Sequence, residues 1–124
     1  MTEVASTSSQ TKLKARQKDF DNILIESIDE TLTSLGESVK QSIYYHLEDK
    51  FEISKKDIPK RIEDFANGIE KIFGLGAHFI EISIMKKLYE KIGMPLEWNE
   101  DKELIFANYV EAARKCFRKE KGRR

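Results

Sequence analysis

Two histidine–carboxylate pairs are the side chains in this 124-residue sequence whose types and spacing suit metal or acid–base chemistry. His78 and Glu81 lie three positions apart, and His46 and Asp49 repeat that spacing. Residues three apart share one face of a helix, so each pair offers a nitrogen and an oxygen ligand side by side. Di-iron bundles use Glu-x-x-His pairs together with further glutamates, and neither pair runs in that order. We therefore predict no metal site, no cofactor and no catalytic residue, although an enzymatic or ligand-binding bundle centred on His78 and Glu81 stays open as a third alternative.

The helix that carries His78 and Glu81 has an unusually wide apolar surface. At about 100° per residue, two neighbouring apolar stripes form between positions 77 and 92: Ala77, Ile80, Ile84 and Leu88 in one, and Ile82, Met85, Tyr89 and Ile92 in the other. His78 and Glu81 project into this arc, where ionisable groups are seldom buried unpaired. The sequence therefore predicts a central fourth helix, with Glu81 buried and paired to Lys40, Lys50 or a backbone amide.

Apolar residues at helical spacing predict four further helices, and no segment alternates with the period of a strand. The expected bounds of the five helices are 19–35, 37–51, 58–73, 77–92 and about 100–119. Asp57 is the expected N-cap of the third helix, which places Pro59 in its first turn, and Asn99 is the expected N-cap of the fifth. The predicted fold is an all-α five-helix bundle of two helical hairpins plus a C-terminal helix. Residues 1–18 form a flexible basic tail, 19–121 the helical domain and 122–124 a basic end.

Composition limits the class of protein. The chain is 40% hydrophobic with two prolines and six glycines, which suits one domain with a real core. The single cysteine, Cys116, cannot form an internal disulfide and is expected to be buried in a reducing compartment. No apolar run is long enough to span a bilayer, and the polar Met1–Gln10 does not resemble a signal peptide. These features predict a cytoplasmic protein without a membrane partner.

The zero net charge conceals two basic ends and an acidic body. Residues 1–18 carry four basic side chains against Glu3, residues 114–124 carry seven against Glu120, and residues 19–113 therefore sum to −9. The C-terminal candidates for nucleic-acid contact are Arg114, Lys115, Arg118, Lys119, Lys121, Arg123 and Arg124. Such residues can neutralise phosphates, but basic residues also complement the dipole at a helix C-terminus. The segment Ile53–Ile62 is similar to the start of a helix-turn-helix, yet the apolar period runs on from Ile62 where a turn is required.

Two aromatic residues fall outside the predicted apolar faces. Tyr45 points away from Ile43, and Phe79 lies on the polar side of the fourth helix between Lys86 and Glu90. Exposed aromatic side chains of this kind are candidates for protein contact, with a partner of unknown identity or with a second copy in a homodimer.

Several glycine-containing patterns resemble a known helical family. They are Asp29-Glu30-Thr31-Leu32, Leu35-Gly36-Glu37-Ser38-Val39, Ile58-Pro59, Ile72-Phe73-Gly74-Leu75-Gly76-Ala77, Glu81 and Lys91-Ile92-Gly93. Over roughly residues 20–98 the chain is similar to the archaeal Nitrosopumilus output domain family. The resemblance implies an all-helical cytosolic module at the output of signalling proteins and supplies no functional residues. We therefore expect a non-enzymatic interaction module that acts through protein contacts, and the alternative is a small nucleic-acid-binding regulator that uses the basic termini.

Overall fold

A computed structural model of the chain describes residues 8–97 and 105–122, with side chains over 19–97 and 105–119. Its elements are α1 (Ser8–Thr33), α2 (Glu37–Phe51), a 3₁₀ helix (Lys55–Lys60), α3 (Ile62–Phe73), a 3₁₀ turn (Gly74–Gly76), α4 (Ala77–Ile92) and α5 (Phe106–Gly122). In the ranges described there is no strand, and the predicted all-α five-helix bundle is confirmed. None of these helices combines the length and apolar composition needed to cross a membrane.

Helix α1 packs its apolar residues at four-residue spacing against the rest of the bundle. Phe20, Leu24, Ile28 and Leu32 are fully buried. The buried hydroxyl of Thr31 donates to the carbonyl of Ser27 at 2.9 Å, so it is satisfied within the helix. The helix begins at Ser8, inside the segment predicted to be a tail from 1 to 18, because residues 8–18 have no proline or glycine to stop a helix that is anchored at Phe20.

The connection between α2 and α3 differs from the predicted one. Asp57 does not cap α3; it accepts a hydrogen bond from Ser54 Oγ at 2.7 Å within the 3₁₀ helix, and Pro59 is buried in that element. Arg61 is not helical and separates the 3₁₀ helix from α3, which starts at Ile62. The guanidinium of Arg61 donates to the carbonyls of Phe51 and Glu52 at the end of α2, so a tertiary contact rather than local sequence fixes this break.

Helix α4 lies at the centre of the bundle, as its double apolar stripe predicts. It packs against α1, α3 and α5, and its buried residues are Ala77, Ile80, Glu81, Ile84, Met85, Leu88 and Tyr89. It ends at Gly93, where the N–H of Met94 bonds back to the carbonyl of Tyr89 at 3.0 Å. Helix α1 shares the central position, because it packs against α2, α4 and α5.

Helix α5 starts later than predicted. Residue 105 is not helical and α5 begins at Phe106, whereas a start near Glu100 was expected. The predicted N-cap, Asn99, lies outside the described residues. Phe106 is buried with its ring 6.2 Å from that of Phe65 on α3, so the start of α5 is held by packing against another helix.

The α3–α4 turn yields a test in which one glycine serves as the control for another. Gly74 has φ 60° and ψ −130°, a conformation that costs an L-residue about 1–3 kcal/mol. Gly76 has φ −70°, and an added Cβ there meets nothing nearer than Phe73 Cβ at 3.9 Å. We expect Gly74→Ala to lower the melting temperature by several degrees, and Gly76→Ala to leave it unchanged or raise it slightly. Equal destabilisation by both substitutions would contradict this account of the turn.

Candidate functional site

Glu81 is buried, and no basic side chain pairs with it in the described part of the structure. Its side chain is 1% exposed, and its Oε2 has no hydrogen-bond partner in the structure. Burial, with a smaller effect from the charge of Glu70, raises the pKa of Glu81 to about 7. The predicted burial is therefore confirmed, but the predicted hydrogen bond to Lys40, Lys50 or a backbone amide is wrong. A neutral carboxylic acid tolerates this apolar site better than a carboxylate does.

His78, the other residue of the predicted pair, does not lie beside Glu81 in the core. His78 is exposed, whereas it was expected inside the apolar arc. It occupies the first turn of α4, which Ala77 anchors with its buried methyl group, and its imidazole turns outward from there. Because His78 is outside and Glu81 is inside, the two do not form a ligand pair. In the described part of the chain, no group of three His, Cys, Asp or Glu side chains is arranged to hold a metal ion.

Lys40 belongs to a cluster around Asp29 that sequence reasoning missed. The Asp29 carboxylate accepts hydrogen bonds from Lys55 Nζ at 2.9 Å, Tyr44 Oη at 3.0 Å and Lys40 Nζ at 3.3 Å. Burial acts to raise the pKa of Asp29, but hydrogen bonds from Lys55, Tyr44 and Lys40 outweigh it and hold the pKa below its ordinary value. Burial, and then the charge of Asp29, raise the pKa of Tyr44. The tyrosine stays neutral and the carboxylate is saturated, so this cluster joins α1, α2 and the 3₁₀ helix and offers no reactive group.

Arg114, a predicted surface residue of the basic C-terminus, is buried in the bundle. It is 7% exposed, and its guanidinium donates to Asp21 Oδ1 at 3.2 Å and to the carbonyl of Pro59 at 2.8 Å. The same group lies 5.0 Å from the ring centroid of Phe20. Its burial and its partners give Arg114 a structural role and leave little of it exposed to a nucleic acid. A charge count along the sequence could not reveal this, because its partners lie 55 and 93 positions away.

The remaining predicted basic residues have different positions. Lys115, Arg118 and Lys119 are exposed on α5. Lys121 lies near the end of that helix, outside the range whose side chains are described, and Arg123 and Arg124 lie beyond the described residues. Cys116 is half-buried, although full burial was expected.

A polar cleft of about 600 Å³ lies between the 3₁₀ helix, α3 and α5. Its charged lining residues are Lys60, Arg61, Arg114, Glu63, Asp64 and Glu111. Three positive charges are thus balanced by three negative ones. Both arginines are already engaged, Arg61 with Asp64 and Arg114 with Asp21 and Glu111. The cleft consequently has no excess of charge with which to select a ligand.

An apolar groove of about 380 Å³ lies between α2 and α3. Its lining residues are Ser38, Val39, Ser42, Ile43, His46, Ile72 and Phe73, and none carries a fixed charge. The two helices approach closely at Gly68, where an added Cβ would stand 2.7 Å from Leu47 Cδ2, and the groove lies farther along the pair. Tyr45 is 65% exposed, and its ring centroid is 6.0 Å from that of His46 at the edge of the groove.

Two apolar side chains that come shortly after the groove residue Phe73 in the sequence are almost fully exposed. Leu75, in the turn after Phe73, is 95% exposed, and Phe79, in the first turn of α4, is 78% exposed. Val39 has helical spacing with Ile43 and Leu47, which predicts a core position, but it is 40% exposed at the groove. We call the set Val39, Ile72, Phe73, Leu75 and Phe79 the apolar end. Leu75 was missed from the sequence because a single leucine between two glycines has no periodicity that reveals its exposure.

Comparisons of the chain with protein-family models, with curated proteins and with solved structures find no match. The resemblance to the Nitrosopumilus output domain family therefore stays a prediction, and the function of the site must be inferred from its own geometry.

The unpaired Glu81 predicts an unusual dependence of stability on pH. Its pKa is about 7 when folded against an ordinary 4.5, so the unfolded chain loses this proton first as the pH rises. The stabilisation from protonated Glu81 is fully present below about pH 4.5 and is lost through pH 7. Glutamine does not titrate, so raising the pH from 5 to 8 should destabilise the wild type relative to Glu81→Gln. We expect this difference in the free energy of unfolding to change by about 2–3 kcal/mol.

Urea denaturation at both pH values measures this difference, and Glu90→Gln on the exposed side of α4 is the matched control. If the free energies of unfolding of the wild type and of Glu81→Gln differ by the same amount at both pH values, the prediction is contradicted. Glu81 would then be paired with a cation in solution.

The burial of Arg114 predicts that substitutions at Arg114 and at its neighbour Lys115 change the free energy of unfolding by very different amounts. Arg114→Gln leaves the Asp21 carboxylate and the Pro59 carbonyl without their donor and should lower the free energy of unfolding by about 3 kcal/mol. Lys115→Gln, at an exposed position of the same helix, should change it by less than about 0.5 kcal/mol. Chemical denaturation checks both values, and a mild effect of Arg114→Gln would show that the buried contacts add little.

Proposed function

We propose that this protein is a non-enzymatic helical interaction module that binds the apolar face of a partner protein's amphipathic helix at the apolar end. The observation that carries the proposal is the near-complete exposure of Leu75 and Phe79, which follow the lining residue Phe73 of an uncharged groove in the turn and the first turn of α4. Large apolar side chains left this exposed on a small domain are candidates for protein contact.

The chemistry of the groove supports a helical ligand. The groove runs between two helices, its floor is apolar, and its polar lining residues are the neutral Ser38 and Ser42 and the imidazole of His46. A groove between helices accepts an amphipathic helix through apolar anchors spaced at i, i+3 or i+4, and i+7. Tyr45 at the edge adds an aromatic ring with a hydroxyl, a side chain that suits the rim of an interface.

The charged clusters support a role that is not catalytic. Asp29 is saturated by three donors, and the guanidinium of Arg114 is engaged by Asp21 and Pro59. These groups hold neighbouring elements of the bundle together. The resemblance to the Nitrosopumilus output domain family supports one further part of this proposal. The contact at the apolar end would serve signalling output in the cytoplasm of an archaeal cell.

A displayed library of 16-residue peptides tests the proposal for a partner of any sequence. Selection on the wild-type protein should enrich amphipathic helical sequences. In fluorescence polarisation their dissociation constants should rise at least tenfold in Leu75→Ser/Phe79→Ser, because two apolar side chains leave the interface. Both residues are already exposed, so the melting temperature should not fall.

Ile105→Ser is the matched control, since Ile105 is 45% exposed at the start of α5, an element that does not line the groove. Failure to enrich any helical sequence, or equal loss of binding in the control, would contradict the proposal. Sedimentation velocity separates the remaining alternative: a wild-type dimer that Leu75→Ser/Phe79→Ser converts to a monomer would assign the apolar end to a second copy of the chain.

A further inference from the structure

Helix α1 and helix α5 contact each other next to their basic segments. The rings of Phe20 on α1 and Phe117 on α5 lie 5.8 Å apart, and Asp21 pairs with Arg114 at 3.2 Å. Farther along the bundle, Lys91 of α4 pairs with Glu26 and Glu30 of α1. Two residues before Lys91, the hydroxyl of Tyr89 donates to the carbonyl of Tyr109 on α5 at 2.7 Å. The earlier part of α5 therefore lies toward the later part of α1, and the two helices run antiparallel. The N-terminal part of α1 and the C-terminal part of α5 therefore leave the contact on the same side of the bundle.

The helical segments that leave this contact are strongly basic. Residues 8–18 of α1 contain Lys12, Lys14, Arg16 and Lys18 and no acidic residue. Residues 115–122 of α5 contain Lys115, Arg118, Lys119 and Lys121 against Glu120. We call these two segments together the basic pole, which has a net charge of +7 even without Arg114. Arg114 is neutralised by Asp21 and does not contribute to it.

We propose that the basic pole binds the phosphate backbone of a nucleic-acid duplex, without regard to base sequence. This function goes beyond the proposed protein contact and uses a different surface. Segment 8–18 extends about 18 Å beyond Phe20 at 1.5 Å per residue, and the end of α5 lies beside its base. Duplex DNA presents one negative charge per about 1.7 Å of its axis, so paired basic helices can neutralise several phosphates at once.

The composition of the pole argues against other anionic partners. Segment 8–18 contains no aromatic residue and has Leu13 and Ala15 as its apolar residues, so it lacks the apolar face with which an interfacial helix enters a membrane. Phe20 and Phe117 are buried against each other and offer no platform for stacking with the bases of a single strand. What remains is charge at high density, which a duplex backbone complements best.

The acidic body limits how a duplex can lie on the protein. Residues 19–113 sum to −9 and repel phosphates, so contact is confined to the pole. The groove begins beside the α1–α2 turn, and Phe20 lies about 20 Å from the end of α1 at 1.5 Å per residue. A duplex on the pole and a helix in the groove can therefore be bound together, which makes the chain an adaptor between them.

Fluorescence anisotropy with a labelled 20-base-pair DNA duplex of arbitrary sequence tests the proposal on the full chain. The wild type should bind at 50 mM salt, and the logarithm of its association constant should fall with the logarithm of salt concentration with a slope of about −4 to −6. Lys12→Gln/Lys14→Gln/Arg16→Gln/Lys18→Gln and Lys115→Gln/Arg118→Gln/Lys119→Gln/Lys121→Gln should each weaken binding at least tenfold and reduce the slope by about half. Glutamine preserves helix propensity, so circular dichroism should show an unchanged fold.

The matched control removes four positive charges from the body instead, through Lys50→Gln/Lys56→Gln/Lys71→Gln/Lys86→Gln, and should bind like the wild type. Loss of binding in this control equal to that of the pole variants would reduce the effect to net charge and overturn the proposal. An effect of one pole segment alone would overturn the joint site. Tighter binding at equal salt to anionic phosphatidylglycerol vesicles, to polyglutamate or to the single strand would overturn the choice of a duplex.

Discussion

The buried guanidinium of Arg114 is the contact on which the arrangement of the whole chain depends. It ties α5 to α1 through Asp21 and the face of Phe20, and to the 3₁₀ helix through the Pro59 carbonyl. An unpaired buried cation would be costly, so this geometry requires all of its partners to stay in place. Together with the ring contact of Phe20 and Phe117, it holds the later part of α5 against the earlier part of α1.

The polar groups of the interior follow two opposite physical solutions. Around Asp29 the charge is kept and satisfied by three donors, two from α2 and one from the 3₁₀ helix, and their hydrogen bonds lower the pKa of the carboxyl. At Glu81 no donor reaches Oε2, and burial raises the pKa until the neutral acid competes with the anion. The first arrangement holds α1, α2 and the 3₁₀ helix in register. The second leaves α4 with a stability cost that grows with pH, at the very helix whose first turn presents Phe79.

The molecule has two surfaces of contrasting chemistry. The apolar end consists of Val39 of α2, Ile72 and Phe73 of α3, Leu75 in the following turn and Phe79 of α4, and its most exposed residues are Leu75 and Phe79. The basic pole lies where α1 begins and α5 ends, beside the ring contact of Phe20 and Phe117. The acidic body between them separates an apolar contact, insensitive to salt, from an electrostatic one that salt weakens. The two can operate independently on one small domain.

What the sequence determined by itself was the set of elements. Apolar residues at helical spacing placed the five helices, the double stripe placed α4 at the centre, and Gly93 marked the end of α4, because periodicity and helix stops are local properties of the chain. Tertiary structure decided how charged residues are used. From the sequence, Arg114 is one more basic residue near the C-terminus, but in the structure it is paired with Asp21 and the Pro59 carbonyl. Glu81 is one half of a predicted pair, but in the structure it is buried and its Oε2 has no donor. The start of α3, which Arg61 fixes by reaching back to α2, was likewise a tertiary outcome. The exposure of Leu75 and the contact of α1 with α5 next to their basic segments belong to the same class, since burial and pairing depend on residues far apart in the chain that only packing brings together.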